Sequence, residues 1–228
     1  MVSRLTQNDF FNPQIIQVLF AYVVFAILQT SFSLPVMENA SPFDDLKDFL
    51  PVKEIQELKT RHLQNDPSFQ ATVTYFKSPE WIAMVEDVRN NPEWIEYKNF
   101  LKEAGLDFDV MIKQLNVCVN DTDVTGFKIE GVQPSLASFI QDVKATYGIQ
   151  ILKGLQEYLE KSGQNEANKK LREKLSSPTS RDLLEKALAQ PALQKIMMKL
   201  KEIGVDIDYF LQMIYGFSGW EMTTIKPW

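Results

Sequence analysis

The sequence predicts an all-α protein made of two divergent tandem copies of one six-helix unit, about twelve helices in all. Three observations predict this: a block of residues recurs at a constant offset, helix-start signals punctuate the chain, and apolar stripes follow the helical period with no competing period-2 segment. Gly105-Leu106-Asp107-Phe108-Asp109 returns 99 residues later as Gly204-Val205-Asp206-Ile207-Asp208. The same offset carries Ser78-Pro79 onto Ser177-Pro178, Pro92 onto Pro191, and Leu101-Lys102-Glu103 onto Leu200-Lys201-Glu202. Behind each glycine lies a stripe spaced i, i+3, i+4, i+7, formed by Phe108, Met111, Ile112 and Leu115 and again by Ile207, Phe210, Leu211 and Ile214. The earlier part of each copy matches at an offset of 97, Leu46, Val52, Ile55 and Leu58 answering Val143, Ile149, Leu152 and Leu155, so the second copy carries a small insertion.

Residues 1–33 obey different rules. No charge interrupts the chain between Asp9 and Glu38, and Val18 to Leu28 is an unbroken apolar run. Preceded by Arg4 and followed by Ser31-Phe32-Ser33, the run reads as a secretory signal cut after Ser33. An uncleaved anchor is the rival reading, but Gln17, Gln29 and Pro35 leave the clean apolar stretch shorter than the roughly 20 residues a membrane span needs. After this come an N-terminal segment at 34–43, repeat one at 44–117, a polar linker at 118–133, repeat two at 134–217 and a tail at 218–228.

Asp66-Pro67, Ser78-Pro79 and Asn91-Pro92 each set a capping side chain before a proline at the first helical position, where the missing N–H costs nothing. Glu80 and Glu93 then occupy first turns, where the helix dipole favours a carboxylate. Gly105 and Gly204 suit the left-handed residue that closes a helix, and Asp107 and Asp206 can cap the next one. The predicted helices lie near 44–50, 52–64, 67–77, 79–90, 92–104 and 107–117, then near 135–146, 149–161, 166–175, 178–190, 191–203 and 206–217.

Composition narrows the function classes. With 24 Lys and Arg against 30 Asp and Glu, the net charge is −6, which disfavours nucleic acid as a partner. The densest basic cluster, Lys169, Lys170, Arg172 and Lys174, reads as a solvated helix face. A single cysteine, Cys118, leaves a secreted chain without an intramolecular disulfide, so packing must supply its stability. Asn120-Asp121-Thr122 is a glycosylation acceptor triplet. Catalytic inventory is thin: His62 is the only histidine, it lacks metal-ligand spacing, and it reads as a helix-surface residue. Asp107 with Asp109, and Asp206 with Asp208, are accounted for as caps and first-turn carboxylates. Neither a catalytic residue, a cofactor nor a metal is expected.

The run Asp66-Pro67, Lys77-Ser78-Pro79-Glu80, Asn91-Pro92-Glu93 and Lys102-Glu103-Ala104-Gly105-Leu106-Asp107 resembles the insect allergen-related repeat family, which includes the cockroach major allergen, midgut microvillar proteins and nitrile-specifier proteins. The resemblance spans about residues 41–217. The second repeat departs from the pattern at Ser162-Gly163-Gln164-Asn165-Glu166 and at Gln190. The resemblance implies a shell around a large apolar cavity that holds fatty acids or phospholipids, in a protein secreted into the midgut lumen, with possible association with the microvillar membrane. Candidate cavity residues are Phe76, Trp81, Val85, Val88, Trp94 and Leu101, then Phe108, Met111, Ile112 and Leu115 in repeat one. In repeat two the candidates are Leu175, Leu184, Leu188, Ile196, Leu200, Ile207, Phe210, Leu211 and Ile214. Without the resemblance, the same aromatic and Met stripes read as ordinary mutual packing. The functional expectation is a non-enzymatic carrier of apolar molecules, with a nitrile-specifier-like detoxification factor or a structural microvillar protein as alternatives.

Overall fold

The computed structural model describes residues 48–106, 122–162 and 166–220. Among them the chain is all-α, with nine α-helices and no strand. In chain order these are α1 (Val52–Asn65), α2 (Pro67–Phe76), α3 (Pro79–Arg89), α4 (Pro92–Lys102), α5 (Ala137–Ser162), α6 (Glu166–Leu175), α7 (Pro178–Leu188), α8 (Pro191–Glu202) and α9 (Ile207–Phe217). The expected signal segment, the segment at 34–43, the helix at 107–117, Cys118 and Asn120 lie outside the described residues. So does most of the helix expected near 44–50, of which Asp48 and Phe49 form a single 3₁₀ turn.

Local chemistry places the helix ends where the sequence sets them. Asp66 accepts hydrogen bonds from the backbone N–H of Ser68 at 3.0 Å and of Phe69 at 3.1 Å, starting α2. Ser78 accepts from Trp81, Asn91 from Trp94, Ser177 from Ser180 and Asp206 from Tyr209, each satisfying an N–H that the first turn leaves open. At the other ends, Gly105 and Gly204 take φ of 90° and 95°, a region where only glycine avoids a Cβ penalty. Leu106 N–H then reaches Leu101 O at 3.1 Å, and Val205 N–H reaches Leu200 O at 2.9 Å, the six-to-one bond of a Schellman closure.

One expected boundary is absent. Helices near 135–146 and 149–161 are a single 26-residue helix, α5. At the offset of 97, Pro51 corresponds to Gly148. Proline lacks the N–H and clashes with the preceding turn, so α1 begins only after Pro51. Glycine costs a helix interior about 1 kcal/mol but blocks nothing, so α5 runs through.

Packing joins the two halves of the chain rather than separating them. α4 packs on α7, and α3 packs on α8. Since α3 and α7 begin 99 residues apart, as do α4 and α8, these are the same contact made twice with the partners exchanged. α1 packs on α2 and on α5. The buried residues form two clusters, each drawing on both halves. The first includes Ile55, Leu58, Phe69, Val73, Phe139, Val143, Ile151 and Leu155. The second includes Tyr97, Leu101, Leu171, Leu184, Ala187, Leu188, Ile207 and Leu211. Leu200 and Val205 pack against both. Burying each large apolar side chain contributes about 1.5–3 kcal/mol, so the halves are held together chiefly by area removed from water.

Candidate functional site

The expected cavity residues divide by burial. Leu101, Leu184, Leu188, Ile207 and Leu211 are buried members of the second cluster, while Val88, Trp94, Leu175, Ile196, Leu200 and Ile214 are half-buried against it. Phe76 is half-buried against the first cluster and meets Trp81, their ring centroids 4.7 Å apart. Trp81, Val85 and Phe210 are half-buried as well. Phe108, Met111, Ile112 and Leu115 lie outside the described residues. Two of the concavities on the described surface bear on the site. One, of about 500 Å³, runs along α5 between Phe49 and Ile149, and is edged by Asp48, Lys153 and Glu157. The other, of about 250 Å³, is lined by Leu58, Arg61, His62, Asn65, Asp66 and Asp142.

That smaller depression contains a connected polar constellation. His62 Nδ1 lies 2.9 Å from Asp66 Oδ2, and Nε2 lies 3.0 Å from Asp142 Oδ2, a residue 80 positions away on α5. Ser138 donates its hydroxyl to Asp66. Phe69 and Phe139 pack on the imidazole with centroids 5.6 and 5.4 Å away. Burial raises the Asp66 carboxyl, but hydrogen bonds from Ser138, His62 and the Phe69 N–H outweigh it and hold the group below its ordinary range. The hydroxyl faces the carboxylate rather than the imidazole, so this group is not arranged as a nucleophile with its base. Among the described residues no group of His, Cys, Asp or Glu is placed to hold a metal ion.

His62 is therefore not the surface residue expected of it: it is 8% exposed. The signal was available. Ile55, Leu58 and His62 are spaced i, i+3, i+7, so the imidazole continues the buried stripe of α1. Lys174 departs from expectation too. Rather than standing on a solvated face, it pairs with Glu103 at 2.5 Å and lies 4.3 Å over the Phe100 ring. Its hydrogen bond and charge hold the Glu103 carboxyl below the usual range. Lys199 pairs with Glu202 at 2.9 Å and lies 5.1 Å over Tyr75. Positions 75 and 174, like 100 and 199, stand 99 apart, so ring and cation have exchanged places between equivalent contacts.

This interleaved all-α arrangement can be set beside known proteins. The family described as "Insect allergen related repeat, nitrile-specifier detoxification" matches residues 39–211, most of the chain. The chain belongs to the insect allergen-related repeat family. A relative, Protein G12 of Anopheles gambiae, is 24% identical over 211 residues, covering 88% of this chain and 98% of that protein. The family match takes in every described helix from α1 to α8 and the first turn of α9. Among the described residues, no helix is long and apolar enough to cross a membrane.

Proposed function

We propose that this member of the insect allergen-related repeat family is a secreted, non-enzymatic binding protein that encloses fatty acids, phospholipids or other apolar small molecules in the insect midgut. In this reading the two repeats supply about twelve helices as a shell, and their inward sides line an apolar cavity. The observation that carries the reading is the incomplete burial of large apolar side chains: Trp81, Val88, Trp94, Ile196, Phe210 and Ile214 are only half-buried. Apolar area left in water forgoes about 25 cal/mol per Å², so a hydrocarbon chain laid against these residues would stabilise the fold while being bound by shape rather than by directed polar contacts.

A second reading is favoured by the family's own description, which includes nitrile-specifier detoxification. It calls for a reactive group, and Ser138, His62 and the two aspartates are not aligned for nucleophilic chemistry. The test is direct: protein purified from a secreting host is extracted with organic solvent and the extract identified by mass spectrometry. Fatty acid or phospholipid in stoichiometric amount is the expected result. A clean extract overturns the carrier reading and favours a structural role at the microvillar surface, while altered product distribution from a nitrile-forming substrate mixture favours the second reading.

A further inference from the structure

We propose that His62 is a proton-operated latch that ties α1 and α2 to α5 and releases as pH rises. Both ring nitrogens face carboxylate oxygens, Asp66 from the start of α2 and Asp142 from α5. Only the imidazolium carries an N–H on each nitrogen; the neutral ring has one donor and leaves the second carboxylate facing a lone pair. The doubly charged-partnered state therefore requires the proton. Losing it must break one of the two bonds.

The geometry selects which. The Asp66 side chain is 18% exposed and is also held by Ser138 and by the N–H groups of Ser68 and Phe69. Asp142 is 56% exposed, so water can replace the imidazole at little cost. The remaining ring proton stays with Asp66, and the bond to Asp142 is the one lost. That bond is also the long-range one, joining residues on opposite halves of the chain. The ring faces are closed by Phe69 and Phe139, and the approach from solvent is the depression rimmed by Arg61 and Asn65. Arg61 on α1, Asp66 at α2 and Asp142 on α5 are the charged groups lining it. The cross-bond is present while the ring is charged and is lost when the ring gives up its proton. Beneath it lie Leu58 and Phe139 of the first cluster, so release loosens the α1–α5 seam over apolar residues.

Because the chain has one histidine, the proton on its imidazole Cε1 gives a single, unambiguous NMR signal. The experiment measures that signal against pH in the full chain, together with amide hydrogen exchange in α1, in the first turns of α5, and in α7 as an internal reference. With intrinsic exchange corrected, protection of α1 and α5 is expected to fall roughly fivefold relative to α7, centred on the measured midpoint, as befits a partly exposed ion pair. Asp142→Asn removes the carboxylate at an exposed position and is expected to abolish that step. A seam whose protection ignores the ring's titration overturns the latch, as does an Asp142→Asn protein that keeps the full step. An imidazole signal that does not move with pH while the fold persists overturns it equally.

Discussion

Two glycines in one helix should respond to the same substitution with opposite signs. Gly148 and Gly154 both sit inside α5. A Cβ added at Gly148 meets nothing within 4 Å, so alanine there removes only glycine's helical penalty. Gly148→Ala is expected to stabilise by about 1 kcal/mol and raise Tm by about 2–4 °C. A Cβ at Gly154 would stand 1.7 Å from the Phe49 carbonyl oxygen and 2.8 Å from its carbon. The closest ordinary carbon–oxygen contacts are about 3.3 Å, so a backbone, not a pliable side-chain tip, must retreat by roughly 1.6 Å. Overpacking of this kind costs about 1–3 kcal/mol, which outweighs the helical gain of about 1 kcal/mol. A clash with backbone stands at the upper end of that range, so Gly154→Ala is expected to lose about 2 kcal/mol net. Urea unfolding followed by far-ultraviolet circular dichroism separates the two, with the denaturant slope unchanged for Gly148→Ala. If both alanines stabilise alike, Phe49 does not press on α5 and the reasoning fails.

Gln190→Asn should stabilise by about 1 kcal/mol: Gln190 has cap geometry at α8 but no capping side-chain bond, whereas Asn91 at the equivalent position of α4 accepts from Trp94 at 2.9 Å. Thermal denaturation measures it, and an unchanged or lower Tm counts against it. Asp66 is held below its ordinary value of 3.8 by Ser138 and His62 against the opposing effect of burial, so its contribution is present above that value and lost as pH falls through the lowered one. Asp66→Asn should accordingly be less stable than wild type at neutral pH but flatter between roughly pH 5 and 2; parallel profiles would refute this. Burial pushes the Tyr97 phenol up to about 12, and burial with the Glu185 hydrogen bond does the same for Tyr215. Their raised values contribute stability that is complete below the ordinary value of 10.0 and lost as pH climbs toward 12. Ultraviolet titration should show late-ionising phenols that Tyr97→Phe and Tyr215→Phe each reduce.

What was legible in the sequence was local. Asp66, Ser78, Asn91, Ser177 and Asp206 cap helices because an oxygen-bearing side chain two or three residues before an open N–H needs no distant partner. Gly105 and Gly204 close helices for the same reason: left-handed backbone is a property of the residue itself. The fused helix α5 was legible in part, since the contrast between Pro51 and Gly148 is written at equivalent positions, but the repeat pattern suggested a break at both. The site was less legible. His62 lies on the stripe of Ile55 and Leu58, yet its partner Asp142 comes from 80 residues away, and nothing local announces it. Lys174 belongs to a run that reads as solvated, and only the fold brings Phe100 and Glu103 beneath it. The crossed pairing of α3 with α8 and of α4 with α7 is likewise a property of the assembled chain.

The central claim is that half-buried apolar side chains of this chain await an apolar ligand. The most direct measurement is the melting temperature of the delipidated protein during titration with a long-chain fatty acid. Binding to the folded state alone should raise Tm progressively, by an amount equivalent to about 2.7 kcal/mol at a hundredfold excess over Kd. A Tm that stays flat through a saturating titration would contradict the claim.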